Sequence, residues 1–224
     1  MRLFKHIKNK WQRFYSQKIL TSIYNKKLNK ESNRFSCEGL LINTHIRVCG
    51  KNNKIFIEKG AIIKNTAICI EGCNNEIIIH NNVRFIESGR IRIWDSGNRL
   101  EIGENTEVVS CFFSIADNNT EIKLGKGCLL SANVIIRTSD GHSICNMNGE
   151  RINYGKSVYL KDRVWIGYGT TILKGSQIGA DSVVGSNSLV AGINTPNNCV
   201  IAGIPAKVVK SDITWTYKRI LPNV

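Results

Sequence analysis

The chain has 224 residues, a net charge of +14, 42% hydrophobic residues and 21% charged ones. That balance belongs to a folded globular protein of one large domain or two small ones, and excludes a disordered chain. No apolar run approaches the ~20 residues that cross a bilayer as a helix.

Residues 1–30 hold nine Lys/Arg (Arg2, Lys5, Lys8, Lys10, Arg13, Lys18, Lys26, Lys27, Lys30) and no acid, which leaves +5 (14 − 9) for the rest. No apolar core or cleavage site follows this basic start, so it does not read as a signal peptide. Leu3, Ile7, Trp11 and Phe14, continued by Ile19, Ile23 and Tyr24, recur at three- and four-residue steps. The spacing predicts a basic amphipathic helical leader over residues 1–35. Contact with an anionic membrane surface through residues 1–30 is one reading. Packing on the chain's own body or on a neighbouring subunit is the other. No nucleic-acid motif accompanies the charge, so nucleic acid is not an expected partner.

From residue 36 the chain repeats. Asn53-Lys-Ile-Phe-Ile57 is echoed by Asn75 to Ile79, Asn98 to Ile102 and Asn119 to Leu124, their closing aliphatics standing 22 or 23 residues apart. Each interval reads as an 18-residue turn plus a corner loop rich in Gly and Asn, residues that tolerate left-handed backbone. Further on, Leu160, Ile166, Ile172, Ile178, Val184 and Val190 stand six apart. Four places later come Val164, Thr170, Ser176, Ser182, Ser188 and Asn194, nearly all small or β-branched. A six-residue period fits no α-helix and no strand meander. It fits an all-β coil of three flat sides, one inward aliphatic per side, stacked into three parallel sheets. The spacing does not set the hand.

The eight cysteines include no CxxC pair, and with no secretion signal they read as reduced apolar fillers, with no metal expected. His6, His45 and His80 read as structural. His142 differs. It lies in "SDGHSI", where the aliphatic pattern lapses between Ile136 and Leu160. Chain that leaves a rigid coil is where chemistry is commonly placed, so a loop over about 137–159 is the expected site. A neutral imidazole can take a proton near pH 7. Asp140, two residues before it, could orient the ring or merely open a turn. Trp165 puts the bulkiest side chain at a position that is small or polar in neighbouring repeats, such as Thr171 and Gln177. Arg137, Arg151, Lys156, Lys161 and Arg163 outnumber Asp140, Glu150 and Asp162, which suggests an anionic acceptor. Arg137, Arg151 and Tyr154 are its expected contacts.

The run "VWIGYGTTILKGSQIGADSVVGSNSLVAG" followed by "IAGIPAK" resembles the hexapeptide-repeat acyltransferases. "SDGH" ahead of "VWIG" is most similar to the capsule and O-antigen O-acetyltransferases, including those acting on sialic acid polymers. The resemblance implies a left-handed parallel β-helix over 36–210, a helical leader before it and a short C-terminal tail, 211–224. It implies a homotrimer with acetyl-CoA between subunits, His142 as general base and Trp165 beside acceptor and thioester. Gly167, Gly185, Ser186, Gly203, Pro205 and Lys207 would line the cofactor, with Gly203 and Pro205 ending the helix and Lys207 near the nucleotide. The asparagine that holds the acceptor in galactoside and maltose acetyltransferases has no counterpart in Cys111-Phe112-Phe113-Ser114.

The implied activity is acetyl transfer to a sugar hydroxyl of a surface polysaccharide or its precursor. The expected place is the cytoplasm, at the inner membrane face if the leader binds lipid. N-acylation of an amino sugar nucleotide is the first alternative. A non-catalytic β-helix scaffold is the second. The metal-dependent carbonic anhydrases of this architecture need three histidines, and residues 81–224 hold only His142.

Overall fold

The computed structural model describes Leu28 and residues 32–221. The amphipathic leader, residues 1–35 as expected, falls almost wholly outside the described residues. The first strand, Arg34–Cys37, begins inside the expected leader, because Phe35 already packs into the core together with Leu28.

The described chain winds into a three-sided parallel β-helix. One side is a seven-stranded sheet: Arg34–Cys37, Lys54–Ile57, Glu76–Ile79, Arg99–Ile102, Glu121–Leu124, Val158–Leu160 and Gln177–Ile178, all parallel. The second and third sides are joined into one sheet by two long strands, Arg84–Trp94 and Glu107–Ile115, that bend round the corner between them. Further up, that corner separates Trp165–Ile166 on the second side from Thr171–Leu173 on the third.

Register explains the spacing read from the sequence. On the first side Ile57 pairs with Ile79, Ile79 with Ile102 and Ile102 with Leu124, advances of 22, 23 and 22 residues. Leu160 pairs with Ile178, an advance of 18. Between them, Leu124 pairs with Leu160, an advance of 36. One turn therefore contains an excursion of 18 extra residues, and it leaves the coil after Val134–Arg137 and returns at Val158–Leu160.

The repeating aliphatics, Ile166, Ile172, Ile178, Val184 and Val190, are fully buried, and Thr170, Ser176 and Ser182 are buried with them at the corners. Each buried aliphatic contributes roughly 1.5–3 kcal/mol through apolar burial. Asn194 breaks the expected series. The last turn is one residue short, Gln177 bridging to Asn194 and Val184 pairing with Ile201, each 17 residues on. Asn194 is consequently exposed, and Thr195 is the buried residue, with Oγ1 accepting from Gly179 N at 3.1 Å.

The corner asparagines also differ from expectation. Asn52 and Asn74 take the left-handed backbone, at φ 58° and 59°. Asn53, Asn75 and Asn98 are buried instead and form a ladder. Asn53 Oδ1 accepts from Asn75 N, Asn75 Oδ1 from Asn98 N, and Asn98 Oδ1 from Thr120 N, at 2.8–3.0 Å. Thr120 passes the ladder to Thr138, hydroxyl to hydroxyl at 3.0 Å. Thr138 begins the excursion, so the ladder supports its base.

Of the cysteines, Cys111, Cys128 and Cys199 are core fillers, and burial pushes the Cys128 thiol up to about 12. Cys49 and Cys145 are exposed, which corrects the filler reading for them. All eight are free thiols. His80 is not isolated: Glu58 and Glu101 carboxylates meet its two ring nitrogens at 3.0 and 3.4 Å.

The tail folds back on the coil. Trp215 is buried, its indole N–H donating to Arg163 O at 2.6 Å while Arg163 Nη2 donates to Trp215 O at 2.8 Å. Residues 213–217 thus run down the corner that precedes the second side. Gly203 and Pro205 close the parallel coil, whose last strand is Val200–Gly203. They shape the turn of a hairpin between Val200–Gly203 and Ala206–Lys210.

Candidate active site

The excursion 138–157 folds as a small hairpin, with Cys145 bridged to Arg151 and Ile152 N donating to Ile144 O at 2.8 Å. Its apolar residues point outward: Ile144, Met147, Ile152 and Tyr154 are exposed. Polar contacts hold it, and Asn153 is their centre. The Asn153 Nδ2 donates to Asp140 Oδ2 and to His142 O, both at 2.8 Å. Its Oδ1 accepts from Ile144 N at 2.8 Å and Arg151 Nε at 3.2 Å. All four bonds of the amide are made, which is what permits a buried asparagine.

Two ion pairs tie the hairpin to the coil. Arg151 meets both oxygens of Asp117 through its two terminal nitrogens, at 2.9 and 2.7 Å. That bidentate bond holds the Asp117 carboxyl below the usual carboxylate range. Lys174, on the next turn, donates to Asp140 Oδ2 at 2.5 Å and Asn153 O at 2.8 Å, and likewise holds the Asp140 carboxyl down. Gly155 must lack a side chain, since a Cβ there would stand 2.8 Å from Asp117 Cβ.

His142 is exposed at the base of this hairpin, whose turn lies at 146–150. Its main chain is fixed by Asn153, and no residue described here hydrogen-bonds its ring. Asp140 turns to Lys174 and Asn153 rather than to the imidazole, so it orients the loop and not the ring. Arg151, expected at the acceptor, has its guanidinium committed to Asp117 and lies over the Tyr154 ring at 5.1 Å. Arg137 remains near His142. A Cβ at Gly141 would lie 3.5 Å from Arg137 Nη2, and Arg137 Nε is buried without a partner.

Trp165 stands elsewhere. It is 37% exposed at the start of the second side, with Nε1 3.4 Å from Ser131 Oγ and its ring 5.9 Å from that of Trp215. The excursion leaves from the end of the third side. These are different corners of the coil, so one chain does not bring Trp165 to His142.

The glycines expected at the cofactor have a structural duty as well. A Cβ on Gly167 would lie 2.6 Å from Ser186 N, so stacking of successive turns requires glycine there. Gly185 is looser, its Cβ meeting Ala202 Cβ at 3.1 Å. Ser186, Pro205 and Lys207 are exposed around the same end of the coil, where Lys207 forms no ion pair with a described residue. Among the described residues no group of three or more His, Cys, Asp or Glu could hold a metal ion. No helix among them is long and apolar enough to cross a membrane.

Sequence reasoning located the excursion that carries His142 but missed its anchors Asp117, Asn153 and Lys174. Asp117 and Lys174 lie far from the loop in sequence, and Asn153 looked like any polar loop residue.

A three-sided parallel β-helix built on a six-residue period is the architecture of the hexapeptide-repeat acyltransferases. The chain is 35% identical over 199 residues to a polysialic acid O-acetyltransferase of Neisseria meningitidis, covering 88% of this chain and 91% of that protein. It is 32% identical over 137 residues to a polysialic acid O-acetyltransferase of Escherichia coli O1:K1 / APEC, covering 59% of this chain and 44% of the relative's length. The crystal structure of the polysialic acid O-acetyltransferase OatWY matches with a TM-score of 0.79 and 33% identity, over 86% of this chain and 91% of that one. That of the polySia-specific acetyltransferase NeuO matches at 0.76 and 31%, over 86% and 88%. No family model matches. The chain belongs to the family of left-handed β-helix O-acetyltransferases that contains these proteins, and it is an acyltransferase.

Proposed function

We propose that the protein moves an acetyl group from acetyl-CoA to a sugar hydroxyl of a sialic acid polymer, with His142 as general base. The observation that carries this reading is the excursion 138–157, built to hold one exposed imidazole on a family scaffold. His142 takes the proton of the acceptor hydroxyl as its oxygen attacks the thioester carbonyl. The carbon–sulfur bond then breaks, and the imidazolium returns the proton to the CoA thiolate. A positioned base contributes on the order of 10²–10⁴-fold.

Because His142 and Trp165 sit at different corners, a second copy would have to bring its Trp165 to the loop. A homotrimer with acetyl-CoA in each cleft does this, and it would cover the outward Ile144, Met147 and Ile152. In that cleft Gly185 and Ser186 offer backbone to the pantetheine arm, while Lys207 offers a point charge to the phosphates. We further propose that the reaction takes place in the cytoplasm, with residues 1–30 either holding the enzyme against the anionic inner membrane surface or packing on a neighbouring subunit.

Purified protein with acetyl-CoA and polysialic acid should release free CoA thiol and add one acetyl mass per event. His142→Ala should lower kcat by roughly 10²–10⁴-fold and leave CoA binding intact. Full activity in that variant would remove His142 from the reaction. An alkali-stable product would mean an amide, and favour N-acylation instead.

A further inference from the structure

The outer face of the third side, below the His142 loop, carries a feature that catalysis does not require. Arg47 pairs in register with Cys69, Cys69 with Arg92, Arg92 with Ser114 and Ser114 with Arg137. An outward arginine thus recurs on every second strand. Strands stack about 4.8 Å apart, so the guanidinium groups repeat at about 10 Å. Arg90 widens the row from the neighbouring column, where it pairs with Ala67 and Phe112.

These side chains are pre-set. Arg92 lies 4.1 Å from the Trp94 ring centre and Arg90 lies 5.1 Å from that of Phe112. Nε of both Arg92 and Arg137 is buried without a hydrogen-bond partner, and Ser114 between them is 3% exposed. Stacked guanidinium groups lose little further freedom when they bind, and they suit carboxylates in bidentate geometry.

They are also uncompensated. On the first side Arg99 bonds Glu76, Glu101 and Glu121, and Lys123 joins Glu101. On the third side Arg47, Arg90, Arg92 and Arg137 form no ion pair with a described residue. Glu71 offsets part of the charge of Arg47 from the edge of the row. Asp140 does the same for Arg137 from the loop, and nothing comparable faces Arg90 or Arg92 among the described residues.

We infer that this row is a track for an extended anionic polysaccharide, which it guides to His142, one residue beyond Gly141. The inference rests on the acceptor class proposed above and adds where and how that acceptor is gripped. A regular row of cations matches a polymer with one carboxylate per sugar. A nucleotide sugar or a free monosaccharide would reach only its last member.

The test is kinetic, on the full chain with acetyl-CoA. The double variant R47A/R92A is compared with the unaltered protein on a sialic acid trimer and on long polysialic acid. KM for the long polymer should rise roughly 2- to 30-fold, the range expected for losing two exposed ion pairs. kcat, and KM for the trimer, should stay unchanged. The salt dependence of polymer KM should become shallower, because fewer counterions are exchanged. Equal KM shifts for trimer and polymer, no shift in either, or a changed oligomeric state on sedimentation would each overturn the track. If the unaltered protein acetylates no sialylated acceptor, the acceptor proposal fails. Titration calorimetry with long polysialic acid then decides the track alone, and equal affinity for both proteins refutes it.

Discussion

In the coil, Ile166, Ile172 and Ile178 are fully buried, and successive turns bond strand to strand. In the excursion 138–157 the order is reversed. Ile144, Met147 and Ile152 face outward while Asn153 is buried and satisfied on four sides. The coil is held by apolar area, which is non-directional and tolerant of small shifts. The excursion is held by hydrogen bonds and two ion pairs, which fix direction. A base that must meet a hydroxyl needs direction more than it needs apolar burial.

The contrast predicts that the two regions fail separately. Ile172→Ala should lower global stability by about 2–5 kcal/mol, the usual cost of such a cavity. Urea unfolding measures it, and turnover per folded molecule should stay near normal. Asn153→Ala should do the opposite. It strands the Ile144 N–H and the His142 carbonyl, a local cost of about 1–3 kcal/mol. Spent on loosening His142, that lowers kcat roughly 5- to 150-fold, with the urea midpoint little changed. A large loss of midpoint in Asn153→Ala would show that loop and coil unfold together.

The same contrast explains what the sequence disclosed. A coil writes its period into the chain, since every side needs one inward aliphatic, and so Leu160 to Val190 could be read directly. The lapse after Ile136 located the excursion to within a residue or two. Its anchors left no such trace. Arg151 finds Asp117 across 34 positions and Lys174 finds Asp140 across another 34, and neither separation belongs to the repeat. Asn53, Asn75 and Asn98 were visible as an echo, but a buried ladder and an exposed turn use the same residue. Trp215 gave no signal, because the tail follows a corner of the finished coil and obeys no period of its own. The arginine row was hidden differently: Arg47, Arg92 and Arg137 are each 45 residues apart, two turns, and single-turn comparison passes over them.

Acid should separate the two regions more gently. Asp117 is held ionised chiefly by Arg151, and Asp140 chiefly by Lys174. Both folded-state values lie below the unfolded value of about 3.9. The fold therefore favours the charged forms, and the anchoring is fully present above that unfolded value. It declines only as pH falls through the depressed values, once both carboxylates take up protons. Between pH 5 and 7 neither group should alter loop stability. Below about pH 4 the amides of 138–157 should lose exchange protection. Those of Trp165–Ile166 and Thr171–Leu173, whose inward side chains carry no charge, should keep theirs. Amide exchange followed by mass spectrometry at stepped pH reads both regions in one sample. Simultaneous loss in loop and strands would mean that the Asp117 and Asp140 pairs secure the whole coil, and the separation drawn between the two regions would fail.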